Sequence, residues 1–313
     1  MCNFLKKINN FDKYLVKNVS NIAFYNDFYV PQGICYAKGY YFLTMYDYKK
    51  ISNSLLYIFK DNKLIKKIFL DNKAHCGGIS YDEKTDNIYI TGIGDKSFSY
   101  IYKYSFSNII SKLDGEIIKV EGKYEVDNNN SLYSSSAKHS SPAYLNCYNG
   151  YLYVGNFCNC KDLDKAIIKK YKILTDGSLS STVNIIKCPF SYVQGICVFE
   201  YNGEMLYVFS RSFGRKRNSL IHICNFANDK FNIISTKVLP SMLEQVSFFE
   251  KNLIVVFESA SNVYKDSAIT VNDGIYLISL ESVLNSTDKF RDFCRGTSFF
   301  ISNRKYWFWL DII

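Results

Sequence analysis

A short passage recurs five times along this chain: a Gln or a small residue ahead of an inward-facing run, a polar turn, then an aromatic-rich run. The clearest pair is Pro31-Gln-Gly-Ile-Cys-Tyr-Ala-Lys-Gly-Tyr-Tyr-Phe-Leu-Thr-Met-Tyr46 and Pro142-Ala-Tyr-Leu-Asn-Cys-Tyr-Asn-Gly-Tyr-Leu-Tyr-Val-Gly-Asn-Phe157, which align without a gap. Anchored on Gln32, Gly77, Ala143, Gln194 and Gln245, the repeat steps are 45, 66, 51 and 51 residues. A unit of about fifty residues holds one small antiparallel sheet, which cannot bury both faces alone. Radial stacking solves that problem and leaves few open edges. The expected fold is therefore an all-β β-propeller of five four-stranded blades, with a six-bladed ring as the alternative, and residues 1–313 form one domain.

Alternation and β-branched or aromatic enrichment place the strands. In the first repeat (31–73) they run Gly33 to Ala37, Tyr40 to Tyr46, Leu55 to Lys60 and Leu64 to Leu70, and the repeats 74–141, 142–188, 189–239 and 240–285 follow the same order. The first two strands are joined by Ala37-Lys-Gly39, Glu83-Lys-Thr-Asp86, Tyr148-Asn-Gly150, Tyr201-Asn-Gly203 and Glu250-Lys-Asn252, residues that tolerate the positive φ of tight hairpins. The four prolines, Pro31, Pro142, Pro189 and Pro240, each fall just ahead of an inner strand and outside every predicted strand interior. The second repeat is longer through a segment at 106–141, read as a loop insertion. The strand-like ends at 17–30 and 299–313 are expected to close the ring, or together to build the sixth blade.

Aromatics make up 17% of the chain, with 27 Tyr and 24 Phe, which suits pleated, half-buried strands. The net charge of +9 is spread in pairs such as Lys49-Lys50 and Lys169-Lys170 through the repeats, the pattern of solvated turns, so neither nucleic acid nor a membrane surface is the expected partner. The ten cysteines show no CxxC spacing and fall mostly inside strands, as small buried thiols do in a reducing compartment. The N-terminal residues lack an apolar run of signal-peptide length, which points to a cytoplasmic protein, or to a secreted one whose leader has been removed. Spaced inner-strand carboxylates of the kind glycosidases use, nucleophile elbows and phosphate-binding loops are all missing.

In a propeller the inner strands line a central channel, and function gathers at their starts and in the loops between blades. The candidates by position are Gln32, His75, Tyr192, Gln194, Glu244 and Gln245 at inner-strand starts, and Tyr46, Asp47, Asn156, Arg211 and Glu258 where second strands end. Glu244, Glu258 and Asn156 could together hold a hard divalent cation such as calcium. The two glutamates, with His75 as a proton carrier, could instead supply general acid and base. Arg211 opens a loop with Arg215-Lys-Arg217 that could grip a carboxylate, phosphate or sulfate.

The runs Pro31-Gln-Gly-Ile34, Ala74-His-Cys-Gly-Gly-Ile79, Val193-Gln-Gly-Ile196, Phe209-Ser-Arg-Ser-Phe-Gly214 and Phe257-Glu-Ser-Ala260, followed by Tyr264, resemble a group of bacterial, often secreted, functionally undescribed propeller proteins over about residues 30 to 280. More distantly the arrangement is similar to propellers of the gluconolactonase and strictosidine synthase type. That resemblance implies a channel metal, for which Glu244 or Glu258 with Asn156 are the counterparts here.

Three functions follow as expectations. The first is a protein that binds a polar or anionic ligand, saccharide or peptide-like, at the channel mouth through Gln32, Tyr46, Asp47, Asn156, Tyr192, Gln194, Arg211, Gln245 and the two glutamates. The second is a metal-dependent hydrolase or lactonase using His75, Glu244 and Glu258. The third is a platform for a protein partner built on the rim and the 106–141 segment.

Overall fold

The computed structural model describes residues 11–24, 26–93, 99–126 and 141–285. After a short helix α1 (Phe11–Tyr14) comes β1 (Leu15–Asn21), and the repeats then build a five-bladed β-propeller. Blade 1 is β2 (Tyr29–Ala37), β3 (Tyr40–Asp47), β4 (Leu55–Lys60) and β5 (Lys63–Leu70). Blade 2 begins with β6 (Ile79–Asp82), β7 (Asn87–Ile93) and β8 (Ser99–Ser105). The chain then passes through α2 (Phe106–Ser111) and β9 (Ile117–Ile118) before β10 (Gly122–Glu125) completes that sheet. Blade 3 is β11 (Pro142–Tyr148), β12 (Tyr151–Asn156), β13 (Ile167–Ile173) and β14 (Leu179–Lys187). Blade 4 is β15 (Val193–Tyr201), β16 (Glu204–Arg211), β17 (Ser219–Ala227) and β18 (Lys230–Leu239). Blade 5 is β19 (Leu243–Phe249), β20 (Asn252–Phe257) and β21 (Gly274–Ser279), followed by helix α3 (Leu280–Asn285).

The inner strands β2, β6, β11, β15 and β19 touch in that order, and β19 returns to β2. The ring is latched by β1, which pairs antiparallel with β21 and becomes the outer strand of blade 5, so the start of the chain covers an edge that would otherwise be open. The 299–313 segment expected to share in closure lies outside the described residues. No sixth sheet occurs among the described residues.

Hairpin chemistry is as the turn residues require. Lys38 and Gly39, Asn149 and Gly150, and Asn202 and Gly203 all take positive φ, the two-residue turn whose twist matches its strands. Five hydrophobic clusters sit at the five seams between blades. Phe42, Ile58, Ile79 and Ile90 fill the seam of blades 1 and 2, and Leu206, Val208, Val255 and Phe257 that of blades 4 and 5. The others join blades 5 and 1, 3 and 4, and 2 and 3. Each such fully buried side chain stabilises by about 1.5–3 kcal/mol.

Two expectations change. The first half of the 106–141 segment is built structure, not loop: β10 supplies the outer strand of blade 2, and β9 adds a parallel fifth strand to blade 1. The periodic signal is weak there because β9 and β10 are short, while 127–140 lies outside the described residues. Pro142 is the first residue of β11, and Pro31 is inside β2, instead of ahead of these strands. Pro31 sits at a β-bulge between Pro31 and Ile34, where the ladder asks nothing of its missing N–H.

Candidate axial site

The strand ladders fix which residues of each blade are equivalent. Pro31 pairs with Met45, Pro142 with Asn156, Val193 with Arg211 and Leu243 with Phe257. The next residue inward is therefore Gln32, Ala143, Gln194 and Glu244, with Gly77 in blade 2, two residues before Ile79. Glu244, not Gln245, is the counterpart of Gln32 and Gln194. Tyr192 and Met242, with φ of 59° and 65°, mark the same register one step before these pairs. The equal Pro-to-Gln spacing of blades 4 and 5 misleads because the crossover into blade 5 is one residue shorter.

Gln245 consequently stands where blades 1, 2 and 4 carry Gly33, Gly78 and Gly195, and its side chain fills the axis. Its Oε1 accepts from the Ile34 N–H at 3.1 Å and the Ile79 N–H at 2.8 Å. Its Nε2 donates to the Ile79 carbonyl at 2.8 Å and the Leu145 carbonyl at 3.1 Å. One fully buried amide thus ties blade 5 to blades 1, 2 and 3. The expected ligand role of Gln245 gives way to that structural one, since all its hydrogen-bonding capacity is committed to backbone.

Around this plug the two glutamates come together. Glu244, at the start of β19, is 2% exposed and accepts from the Gln194 Nε2 at 3.4 Å. Glu258, just past β20, accepts from the Gln32 Nε2 at 3.2 Å. Carboxamides from the blades on either side therefore hold one carboxyl each. Burial, reinforced by the Glu258 charge, holds the Glu244 carboxyl well above the usual carboxylate range. Burial also raises Glu258, to about 7, against the opposing pull of its Gln32 hydrogen bond and the Arg215 guanidinium.

Tyr46 lies near enough to this pair to feel both carboxyls. Its phenol is pushed up chiefly by burial, and then by donating a hydrogen bond to the Tyr264 hydroxyl; both phenols also feel the charges of Glu258 and Glu244. The His75 ring lies 4.1 Å from that of Tyr46, and burial, with Lys50 nearby, lowers its pKa to about 4. At neutral pH His75 is an uncharged imidazole, able to pass a hydrogen bond but not to act as a cation. Tyr192 packs between Phe157 and Phe213, with centroids 6.0 and 5.6 Å away, as part of an aromatic rim.

Three candidates are turned elsewhere. Asn156 and Arg211 occupy the strand position of Met45 and Phe257, one residue before Tyr46 and Glu258, and the period of two directs them away from the Tyr46 and Glu258 side. Asn156 instead braces the connection after β12: its amide donates to the Cys158 Sγ and the Lys165 carbonyl, and its Oδ1 accepts from the Ile167 N–H at 2.8 Å. Arg211 is 1% exposed, bonded to the Ser191 carbonyl at 2.8 Å and to His222 at 3.1 Å, with Phe190 and Phe213 against its guanidinium. Asp47 caps its own turn by accepting from the Lys49, Ile51 and Ser52 N–H groups.

Among the described residues no group of three or more His, Cys, Asp or Glu is placed to hold a metal ion. The donor set at the axis is two carboxyls, two carboxamides and two phenols, which is suited to hydrogen bonding and proton transfer. Tyr264 and Arg215 are the partners that position along the repeat did not single out. Both lie in loops beyond second strands, where period carries no information, and only the aromatic or cationic character of those loops signals them.

No family model matches the chain, and no curated protein matches it in sequence. Solved structures similar to it include glutaminyl cyclase from Myxococcus xanthus, at 9% identity and a TM-score of 0.48, covering 85% of this chain and 94% of that one. A GH43_1 enzyme from Xanthomonas citri, also 9% identical with a TM-score of 0.48, covers 85% of this chain and 90% of its own. An α-L-arabinofuranosidase from Clostridium thermocellum is 11% identical with a TM-score of 0.46, covering 80% and 94%. None of these likenesses bears on chemistry.

Proposed function

We propose that the axial mouth at blades 4, 5 and 1 binds a polar, saccharide-like ligand. The observation that carries this reading is the pair Glu244 and Glu258, each held by a carboxamide from the flanking blade, with the Tyr46 and Tyr264 phenols near enough to feel their charge. Hydroxyl-rich ligands need paired donors and acceptors in fixed positions, with aromatic faces for their apolar C–H surfaces. Carboxyls, carboxamides and phenols supply the first, and Tyr192, Phe157 and Phe213 offer the second. Arg211 drops out of the recognition set because its guanidinium is committed inside blade 4.

Glycan-array screening followed by calorimetric titration tests the reading. The wild type is expected to bind a saccharide, and Glu258→Gln or Tyr264→Phe to weaken it roughly tenfold, the scale of one lost hydrogen bond to a charged or well-placed partner. Failure of every saccharide to bind, or affinity unchanged in both variants, overturns it.

A second reading, acid–base hydrolysis at the same pair, is favoured by the Glu258 carboxyl at about 7, poised to exchange a proton near neutrality. It predicts turnover of the bound saccharide that Glu244→Gln abolishes. The metal-dependent version is less well supported, because Asn156, its third ligand, is engaged with Cys158, Lys165 and Ile167.

A further inference from the structure

Outside the tyrosine pair lies a groove of about 490 Å³, lined by Asp27, Phe28, Tyr48, Lys49, Asn262, Val263 and Lys265. It runs between the start of blade 1 and the loop that follows Glu258 in blade 5. Its walls are fastened together: the Asn262 Nδ2 donates to the Asp27 Oδ1 at 2.7 Å across the seam. Two of its lining residues are exposed aromatics, Phe28 and Tyr48, on neighbouring stretches of chain joined by the Tyr48 N–H bond to the Phe28 carbonyl at 2.9 Å. The groove also reaches the axial site directly, since the Tyr48 ring packs edge-on against Tyr264 at 6.0 Å and Tyr264 is hydrogen-bonded to Tyr46.

The charge of the groove is specific. Lys49 lies over the Phe28 ring at 3.5 Å, and neither Lys49 nor Lys265 has a carboxylate partner among the described residues. The single groove carboxylate, Asp27, is engaged by Asn262. Two exposed lysines and two exposed aromatic rings lining one groove complement a ligand that presents a flat apolar face and an anionic group together, as a uronate ring does.

We infer that this groove is a second subsite of the axial site, and that the ligand is an acidic oligosaccharide, one ring seated at the glutamate pair and a neighbouring uronate ring stacked on Phe28 and Tyr48 with its carboxylate at Lys49 and Lys265. The inference rests on the axial saccharide reading and specifies its substrate class.

The test is calorimetric titration of the wild type at low salt with a trimer of galacturonate and with the carboxyl-reduced galactose trimer of the same linkage. The acidic trimer is expected to bind about tenfold more tightly. In a Lys49→Gln, Lys265→Gln double variant that preference disappears while the neutral trimer keeps its affinity, because both lysines are exposed and their replacement leaves the fold intact. Equal binding of the two trimers by the wild type, a preference that survives in the double variant, or no binding of either trimer overturns the inference. In the first two cases a loss of neutral-trimer affinity in Glu258→Gln leaves the axial reading standing. If Glu258→Gln has no effect while the double variant loses the preference, the axial reading fails and the groove alone is upheld.

Discussion

Replacing Gln245 by Met, of similar length and volume, removes four hydrogen bonds without opening a large void. The side chain that is lost accepts from the Ile34 and Ile79 N–H groups and donates to the Ile79 and Leu145 carbonyls, all in a buried setting. At about 1 kcal/mol net for each bond, with buried backbone groups left unpaired, the expected destabilisation is about 4 kcal/mol. A domain of this length has an unfolding entropy of about 0.6–0.7 kcal/mol/K near its midpoint, so the loss corresponds to a fall in Tm of about 6 °C. Equilibrium urea denaturation followed by circular dichroism measures the free energy, and amide exchange at Ile34 and Ile79 localises it. Because Gln245 joins blades 1, 2, 3 and 5, both amides must lose protection together. A loss below about 1 kcal/mol, or unchanged exchange at Ile34 and Ile79, would refute the claim that this amide pins the axis.

Glu258 gives a pH dependence of definite sign. Its folded pKa, about 7, lies above the ordinary 4.5, so the folded state holds the proton more tightly than the unfolded one and the Glu258 contribution to stability falls as pH rises from 4.5 to 7, while Glu244, also held well above the ordinary range, adds a slope of the same sign. Glu258→Gln should remove the Glu258 share of that slope and stabilise the protein at pH 8 by about 3 kcal/mol, read from urea midpoints at both ends of the window. Asn156→Ala should cost about 2 kcal/mol through the unpaired Lys165 carbonyl and Ile167 N–H, yet leave ligand affinity unchanged, the opposite of a binding residue. Gly78→Ala should destabilise by about 3 kcal/mol or more, since its Cβ would come within 2.5 Å of the Leu145 backbone nitrogen, whereas Gly203→Ala meets nothing and costs about 1 kcal/mol for its positive φ alone.

Architecture was legible in the sequence because it follows from period. Asn149-Gly150 and Asn202-Gly203 demand the turns they form, and alternating apolar residues demand the strands between them. The neighbourhood of Glu244 and Glu258 was legible for the same reason, since both lie at strand ends that a propeller directs toward its axis. Register was not legible. The identical spacing from Pro189 to Gln194 and from Pro240 to Gln245 suggests equivalence, and only the ladder shows that blade 5 enters one residue early. A one-residue error in a strand reverses which way a side chain points. For that reason Gln245 became a plug, while Asn156 and Arg211, one residue from the Tyr46 and Glu258 position, turned into the scaffold. Blade 2's outer strand was hidden for a different reason: β9 and β10 are too short to alternate visibly.

The same register explains why the site is lopsided. The five equivalent positions around the mouth read Gln32, Gly77, Ala143, Gln194 and Glu244, so blades 4, 5 and 1 present an arc of amide and carboxyl groups while blades 2 and 3 present almost no side chain. A symmetric ring of five glutamines would satisfy itself by mutual hydrogen bonding; a polar arc facing a bare one leaves room for a ligand and orients it. Gly77 cannot accept a side chain cheaply, because its Cβ would lie 2.4 Å from the Ala143 carbonyl oxygen. Ala143 is the position at which the bare arc can be filled without breaking the backbone. Ala143→Leu is therefore expected to lower saccharide affinity at least tenfold, and, because Ala143 also borders the hydrophobic cluster between blades 3 and 4, to cost about 1–3 kcal/mol of stability through overpacking. If Ala143→Leu binds as the wild type does, the ligand does not occupy the arc opposite Glu244, and the axial site must be narrower than the arrangement of the five positions implies.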